Sequence, residues 1–273
     1  LAMATEVPHA RIFAVEKSPE AAVWTRQNIA AYGDCVTLVE GDPIHDGITL
    51  TEETVPFANV EPMAPVVPSK VICVGMNFAE HAAEMHHDGP QTPLIFLKPP
   101  TTVIGPGDPI ILPPVEGRIV HEGELAVVIG SVAHRVREQD WADVVFGYTI
   151  ANDVSARDVM FADGQWARAK GFDTFCPVGP IIETEFDPFA HNEITTRVDG
   201  EVRRHGFTGD MTHKIPEIIA FVSNAFTLYP GDIICTGTPA GLGGFLDGQT
   251  VEITIEGIGT LSNPAQNRDD RAS

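Results

Sequence analysis

From Lys70 onward the chain consists of short apolar stretches separated by turns that are rich in Gly and Pro. Many of these stretches are rich in Val and Ile, which is typical of buried β-strands. The predicted strands cover 71–75, 94–97, 109–112, 124–129, 147–151, 232–236 and 251–255. Helical patterns are few and cover 79–85, 138–146 and 215–225. This succession predicts a β-rich α+β domain closed on itself, and it argues against a doubly wound sheet.

The first 44 residues differ in character from the rest. Two predicted strands, 11–16 and 36–40, flank a helix that begins at Ser18-Pro19 and ends near Gly33. This β-α-β unit predicts a small N-terminal cap over 1–44. The Pro-rich segment 45–68 is predicted to be a linker, 69–264 the main domain and 265–273 a polar tail.

The composition limits which kinds of molecule the chain can bind. A net charge of −21 argues against nucleic acid and against anionic membrane surfaces, because binding phosphate requires a basic face. An anionic substrate would need a metal ion and local Lys or Arg side chains. No apolar run reaches the roughly 18 to 20 residues of a membrane span. The four scattered cysteines predict a reduced, cytoplasmic protein.

An acidic pair precedes one of the most apolar strands. Glu122 and Glu124 are spaced i, i+2 at the entrance of the run 125–129, so both face the same side of a strand. Two like charges at the edge of a core are costly unless a cation neutralises them. Carboxylate ligands favour a hard ion such as Mg²⁺, Mn²⁺ or Ca²⁺. The alternative is a solvated strand end with two surface acids.

His81 and Glu84 are spaced i, i+3 in the predicted helix 79–85 and therefore share one face. A carboxylate beside an imidazole fixes its tautomer, which suits a general base that acts on water. The alternative is a surface salt bridge. His86 and His87 have no such partner and are predicted to be exposed.

Two later segments also carry candidate chemistry. Residues 161–180 combine Gly, Pro and charged residues, so we expect a long ordered loop in which Lys170 could face an anionic substrate. An ordinary surface lysine is the alternative. Residues 236–241 form a Gly- and hydroxyl-rich loop after a buried strand, and its backbone N–H groups could hold a carboxylate or an oxyanion.

These clusters together resemble the fumarylacetoacetate hydrolase family over about 66–264. The segments that carry the resemblance occur in the family's order and are VGMNFAEHAAEM, FLKP, HEGELAVVIG, GYTIANDVSARD, DGQWARAKGFDTFCPVGP, LYPGDIICTGTPAG and GIGTLSNP. The resemblance implies the family's β-roll catalytic domain, which is often dimeric, preceded by a small variable domain. Residues 1–44 separately resemble a fragment of a release-factor glutamine methyltransferase, with Glu16 at its ribose-binding position, but without the Gly-rich loop.

The resemblance also implies roles for individual residues. The metal carboxylates fall on Glu122, Glu124 and Asp153, and the catalytic His–Glu pair of acylpyruvase-like members falls on His81 and Glu84. The family's substrate-side lysine falls on Lys170, and its substrate-binding positions are implied at Arg157, Gly237 and Thr238.

Two positions depart from the family members that cleave fumarylacetoacetate itself. Those members have an additional Asp ligand where this chain has Val74 and a tyrosine where it has Met76. A separate, milder departure is Phe78, at a position where tyrosine is commoner. Fumarylacetoacetate is therefore disfavoured as a substrate.

The implied function is divalent-metal-dependent cleavage of a C–C bond in a small anionic 2-oxo or 1,3-dioxo acid, of the acylpyruvate hydrolase or oxaloacetate decarboxylase type. Mg²⁺ or Mn²⁺ is expected ahead of Ca²⁺, in a homodimer. The main alternative is a 2-hydroxyhepta-2,4-diene-1,7-dioate isomerase or decarboxylase. Two further alternatives are a methyltransferase fragment fused to an inactive β-domain and a metal-stabilised protein without turnover.

Overall fold

The computed structural model describes residues 35–40, 49–56, 63–86, 88–241 and 243–268. The first predicted strand and the helix of the N-terminal cap lie outside these residues, as does His87. The second predicted strand of the cap is β1 (Cys35–Glu40), which pairs antiparallel with β2 (Thr49–Pro56). Because β2 lies within 45–68, part of the predicted linker is a strand.

The other strands of the described chain form the main domain. In chain order they are β3 (Val71–Gly75), β4 (Leu94–Lys98), β5 (Val103–Ile104), β6 (Ile110–Leu112), β7 (Ile119–Val120), β8 (Gly123–Ile129), β9 (Val145–Asn152), β10 (Ser155–Ala156), β11 (Cys176–Glu183), β12 (Glu193–Val198), β13 (Glu201–Phe207), β14 (Ile233–Cys235), β15 (Thr250–Ile255) and β16 (Gly259–Asn267). A seven-stranded sheet has the order β4-β3-β14-β8-β9-β11-β5, and a five-stranded sheet the order β13-β12-β15-β16-β6. A short pair, β10 with β7, completes the described sheets. The predicted β-rich α+β fold is confirmed.

Helices are short and few in the described chain. They are α1 (Ala79–Glu84), α2 (Arg157–Asp163), α3 (Ala167–Lys170) and α4 (Ile215–Ala225), with 3₁₀ turns at Pro100–Thr102, Glu138–Val144 and Thr208–Asp210. None of the helices in the described ranges has the length and apolar character needed to cross a membrane.

Three predictions of local structure need correction. The segment 161–180 is not one long loop, because it contains the end of α2, the whole of α3 and the start of β11. The predicted helix 138–146 is a 3₁₀ helix that ends at Val144. The predicted polar tail begins too early, since β16 continues to Asn267 and Ala265 is buried.

The seven-stranded sheet has apolar core on both faces, because alternate residues of its central strands belong to different clusters. On β8, Leu125, Val127 and Ile129 pack into the larger cluster, while Ala126 and Val128 pack into the smaller one. This explains why β8 is continuously apolar from Leu125 to Ile129 and why it is buried at every position. The free cysteines Cys73, Cys176 and Cys235 are fully buried in the smaller cluster.

Strand directions bring the candidate residues to one edge of this sheet. β8 pairs antiparallel with β9, with Gly123 opposite Asn152, so the start of β8 lies beside the end of β9. β14 is antiparallel to β8 and parallel to β3, so Cys235 and Gly75 end their strands at the same edge. The segments that follow β3, β9 and β14 therefore meet the segment that precedes β8.

Candidate functional site

Three carboxylates converge at this edge. One oxygen from each of Glu122, Glu124 and Asp153 lies within 4.8 Å of the others. Glu124 is 2% exposed, so the alternative interpretation of two surface acids at a solvated strand end is wrong for Glu124, and Asp153 is also buried, at 1% exposed. A compact set of oxygen donors that is largely removed from water has the chemistry of a site for a hard divalent cation.

The electrostatics of the cluster fit such an ion. Burial raises the pKa of Glu124 well above its usual range, and the charges of Asp153 and Glu122 raise it further. Burial also raises the pKa of Glu122, but the charges of Lys170, His81 and Arg204, together with the hydrogen bond from Lys170, outweigh this effect and lower the pKa to about 2. Glu124 therefore lacks a compensating positive charge of the kind that Lys170 gives Glu122, and a metal ion would supply it.

Two buried lysines bind carboxylates of this cluster, and both of them bind Asp153. Lys170 Nζ donates to Glu122 Oε2 at 2.6 Å and to Asp153 Oδ2 at 2.5 Å, so its interpretation as an ordinary surface lysine is wrong. Burial lowers the pKa of Lys170, but Asp153 and Glu122 outweigh this effect and raise it above its ordinary value. The ammonium group also lies 4.9 Å from the centre of the Phe96 ring.

Lys98 is the second lysine, and sequence reasoning gave it no role. It is 1% exposed, and its Nζ donates to Asp153 Oδ1 at 2.5 Å and to the carbonyl of Val154 at 3.2 Å. Its only sequence signal was its position at the end of an apolar strand, within the FLKP segment that contributes to the family resemblance.

The His81–Glu84 pair lies on α1, as predicted. His81 Nδ1 is 3.3 Å from Glu84 Oε2, and Glu84 Oε1 accepts a hydrogen bond of 2.9 Å from the backbone N–H of Gly241. His81 is only 6% exposed, so this is not a surface salt bridge. Burial lowers the pKa of His81, and the charge of Glu122 opposes that effect only in part. The imidazole is therefore neutral at pH 7 and can accept a proton. His86 is exposed, as predicted.

The loop after β14 closes the cluster from another side. The backbone N–H of Gly237 donates to Glu124 Oε2 at 2.7 Å, and Thr238 Oγ1 donates to the carbonyl of Gly123 at 2.9 Å. Gly237 has φ +100°, a conformation that favours glycine. A Cβ at this position would also lie 2.8 Å from the Cβ of Asn77. The predicted N–H donor is present, and in this structure it binds a carboxylate of the protein itself.

Arg157 begins α2 and reaches toward α1. Its Nη2 lies 3.1 Å from Met85 Sδ, and its guanidinium group lies 5.7 Å from the centre of the Phe161 ring. Its Nε is buried and has no hydrogen-bond partner among the described residues.

Sequence reasoning missed two further polar residues at the site. Asn77 is fully buried and donates to the carbonyls of His213 (3.0 Å) and Thr236 (2.7 Å), and it accepts from the backbone N–H of His213 (2.7 Å). Arg204, on β13, donates to the carbonyls of His121 (3.1 Å) and Pro239 (2.7 Å). Asn77 lies inside the VGMNFAEHAAEM segment, whereas nothing in the local pattern distinguishes Arg204 from its neighbour Arg203.

Comparisons with known proteins show which family the chain belongs to. A family model for the C-terminal domain of fumarylacetoacetate (FAA) hydrolase matches residues 70–266. The oxaloacetate tautomerase YisK of Bacillus subtilis is 43% identical over 221 residues, which cover 76% of this chain and 73% of that protein.

Two solved structures extend the comparison. The 2-hydroxyhepta-2,4-diene-1,7-dioate isomerase from Mycobacterium marinum matches with a TM-score of 0.84 at 42% identity, over 98% of both chains. The maleylpyruvate hydrolase from Sphingobium sp. SYK-6, in complex with manganese(II) ion and pyruvate, matches with a TM-score of 0.69 at 34% identity. That match covers 92% of this chain and 83% of the hydrolase.

The family match and the structural matches agree with the resemblance inferred from the seven sequence segments, and they confirm the expected β-roll type of fold. The chain belongs to the fumarylacetoacetate hydrolase family and is an enzyme.

Proposed function

We propose that the chain uses a divalent metal ion, Mg²⁺ or Mn²⁺, to move a proton at the carbon next to the keto group of a small 2-oxo acid, converting keto and enol forms into each other. The observation that carries this proposal is the buried His81–Glu84 pair at the edge of the acidic cluster. The similarity of the chain to an oxaloacetate tautomerase and to a hydroxyheptadienedioate isomerase also supports keto–enol conversion.

Glu122, Glu124 and Asp153 would hold the metal ion, and their all-oxygen donor set is the basis of this assignment. When bound, the ion supplies Lewis-acid stabilisation of the negative charge that develops on the substrate's keto oxygen. Lys170 and Lys98 keep two of these carboxylates in position through the hydrogen bonds described above.

His81 would be the group that accepts and returns the proton. Its lowered pKa keeps it unprotonated at neutral pH, and Glu84 fixes the orientation of the ring through Nδ1. The ring nitrogen Nε2 is then the atom left to take the substrate's proton. Arg157 would face the anionic substrate, and the Gly237-Thr238 segment would bound the pocket on the side of β14.

A second candidate is cleavage of a C–C bond in a 2-oxo or 1,3-dioxo acid, by hydrolysis or decarboxylation. A neutral, oriented His81 can equally deprotonate an attacking water molecule, and the similarity to a maleylpyruvate hydrolase favours this chemistry. In either case fumarylacetoacetate remains a poor candidate. Val74 and Phe78 are buried among apolar residues and offer no ligand oxygen.

To test this proposal, the metal-loaded protein is incubated separately with oxaloacetate, acetylpyruvate and 2-hydroxyhepta-2,4-diene-1,7-dioate. Keto–enol conversion is followed by the loss of enol absorbance, and cleavage is followed by the release of pyruvate, acetate and CO₂. We expect keto–enol conversion to be faster than any cleavage. His81→Ala should abolish it, whereas His86→Asn, at an exposed histidine just after α1, should leave it unchanged. Cleavage products formed at the rate of enol loss would favour the second candidate, and full activity in His81→Ala would contradict both.

A further inference from the structure

The indole ring of Trp166 lies at the end of β3, against a position that has no side chain. A Cβ on Gly75 would lie 2.5 Å from Cζ3 and 2.8 Å from Cη2 of Trp166, so the ring occupies the space that a larger residue at position 75 would need. The ring also meets Phe96 of β4 edge to face, with the two ring centres 5.1 Å apart. Trp166 therefore packs against two neighbouring strands of the sheet that carries the acidic cluster.

The same residue begins the turn that carries Lys170. α3 is a single turn of four residues, and the backbone N–H of Lys170 donates to the carbonyl of Trp166 at 2.9 Å. A helix of this length is not stable by itself, because nucleation is unfavourable, so tertiary contacts must fix it. The indole is the large side chain at the start of the turn. It fixes the place from which Lys170 Nζ reaches Glu122 and Asp153.

The two aromatic rings also border the ammonium group itself. Lys170 Nζ lies 4.9 Å from the centre of the Phe96 ring and 5.9 Å from that of the Trp166 ring. Cation–π attraction at these distances adds to the charged hydrogen bonds of the lysine. The rings also restrict the positions that the lysine side chain can adopt.

On another side Trp166 is not enclosed by the protein. It borders a groove of about 460 Å³, whose other lining residues include Leu94, Leu97 and Phe226. The position of the ring therefore depends on its contacts with Gly75 and Phe96. The groove also gives the ring space to move, so a methyl group at position 75 can displace the indole without a shift of β3.

We propose that Trp166, seated on Gly75, is a positioning residue that holds Lys170 on Glu122 and Asp153. The consequence for the reaction rests on the proposed function, in which Lys170 keeps these two carboxylates in position. Trp166 acts on the reaction only through Lys170.

Acetylation of individual lysines tests the inference without turnover. The protein in Mg²⁺ buffer is treated briefly with acetic anhydride, and the product at each lysine is measured by mass spectrometry, with the exposed Lys214 as internal standard. Lys170 and Lys98 should both react slowly in the wild type, because both are buried in ion pairs with the same aspartate. Trp166→Ala and Gly75→Ala should raise acetylation of Lys170 by about 10-fold, the effect of losing an aromatic and a cation–π contact. Lys98 should stay protected in both variants.

Three further variants serve as controls. Trp141→Ala removes a tryptophan that also packs edge to face, on Phe189, and it should leave Lys170 protected. Trp166→Phe keeps an aromatic ring beside Phe96 and should restore most of the protection. Should Trp166→Ala fail to fold, which circular dichroism would reveal, Trp166→Leu takes its place, since it keeps an apolar side chain without an aromatic face.

A kinetic cycle on oxaloacetate shows whether the two residues act as a unit. Trp166→Ala should lower kcat by about 10-fold in the wild-type background, in line with the expected loss of Lys170 protection. In the Lys170→Met background the same change should have no further effect on kcat, because the group that Trp166 positions is already gone.

The outcomes separate this inference from the proposed function. If the wild type converts no 2-oxo acid while acetylation follows the expected pattern, the proposed function is wrong and the positioning of Lys170 stands. The inference is wrong if Lys170 stays protected in the folded Trp166 and Gly75 variants, or if Lys98 becomes equally reactive, which would show general loosening. It is also wrong if Trp166→Ala slows the Lys170→Met enzyme as much as the wild type. None of these three results would contradict the proposed function.

Discussion

Glu84 and Gly241 lie 157 positions apart in the sequence and are joined by a hydrogen bond of 2.9 Å from the backbone N–H of Gly241 to Glu84 Oε1. The other carboxylate oxygen of Glu84 lies 3.3 Å from His81 Nδ1. The loop after β14 thus holds the side chain that orients the proposed base. The same loop binds Glu124 through Gly237, so it connects the base to the acidic cluster.

This relationship makes Glu84→Gln a specific test of the pair. The amide oxygen of Gln can still accept the Gly241 N–H, but the negative charge beside His81 is lost. We expect kcat to fall by about 100-fold, the lower end of what general acid–base catalysis contributes. The thermal midpoint should stay near that of the wild type. An unchanged kcat would show that His81 does not depend on Glu84.

The pH dependence of kcat/KM should report the same base. His81 must be unprotonated to act, and burial lowers its pKa from the ordinary histidine value of 6.5. The activity should therefore be full at neutral pH and fall only at pH values below 6.5, as the imidazole gains a proton. Because Glu84 raises the pKa of His81, the acid limb should move to still lower pH in Glu84→Gln. A fall in kcat/KM that begins at a pH above 6.5 would contradict the assignment of His81 as the base.

Much of the fold could be predicted because local pattern determines it. The strands at 71–75, 124–129 and 251–255 were predicted to within a residue or two, since their Val and Ile residues are buried in the core. The hairpin of β12 and β13 was missed because its residues are largely polar. Its turn nevertheless carries a signal: Asp199 and Gly200 both have positive φ, as an Asp-Gly hairpin turn requires.

The site was predictable where its residues are close in sequence or lie within the segments that resemble the family. The i, i+2 spacing indicated Glu122 and Glu124, and the i, i+3 spacing indicated His81 and Glu84. Lys98 and Arg204 belong to the site only because the sheets bring distant segments together. A lysine or arginine on a strand carries no local signal that it will be buried, so their contacts could not be predicted from the sequence.

The buried ion pair between Lys98 and Asp153 should be important for stability. Lys98→Met removes the partner of Asp153 Oδ1 and leaves Lys170 as the remaining cation on Asp153, so the expected loss is about 1–3 kcal/mol, the usual cost of an unsatisfied buried group. Urea unfolding of the metal-free protein would measure this loss. Arg137→Met is the matched control, because Arg137 pairs with Asp140 at the surface, and it should change little. Equal midpoints for the two variants would contradict the structural role of Lys98.

Removal of the metal ion should affect stability as well as activity. Treatment with EDTA is expected to abolish turnover and lower the thermal midpoint, and Mg²⁺ or Mn²⁺ should restore both, because a ligand that binds only the folded state stabilises it. In Glu124→Gln, one of the clustered negative charges is gone while the shape is kept. This variant should therefore retain its metal-free midpoint and lose most of the rise on adding metal. A full rise in Glu124→Gln would exclude Glu124 as a ligand.

Asn77 should stabilise the connection between β3, the loop after β14 and the segment before α4. Its three hydrogen bonds join Thr236 and both backbone groups of His213, and its side chain is fully buried. Asn77→Ala leaves those backbone groups without partners. Each unsatisfied buried group usually costs about 1–3 kcal/mol, and partial relaxation reduces the sum, so the free energy of unfolding should fall by roughly 3 kcal/mol.

The comparison for this last prediction is Asn224→Ala. Asn224 is exposed on α4 and makes one hydrogen bond, to the carbonyl of Ala220. Its replacement should leave the free energy of unfolding almost unchanged, since exposed groups exchange one partner for water. Because Asn77 directly precedes Phe78 and α1, Asn77→Ala should also lower kcat by displacing His81. A variant that is destabilised yet fully active would show that Asn77 supports the fold without positioning the base.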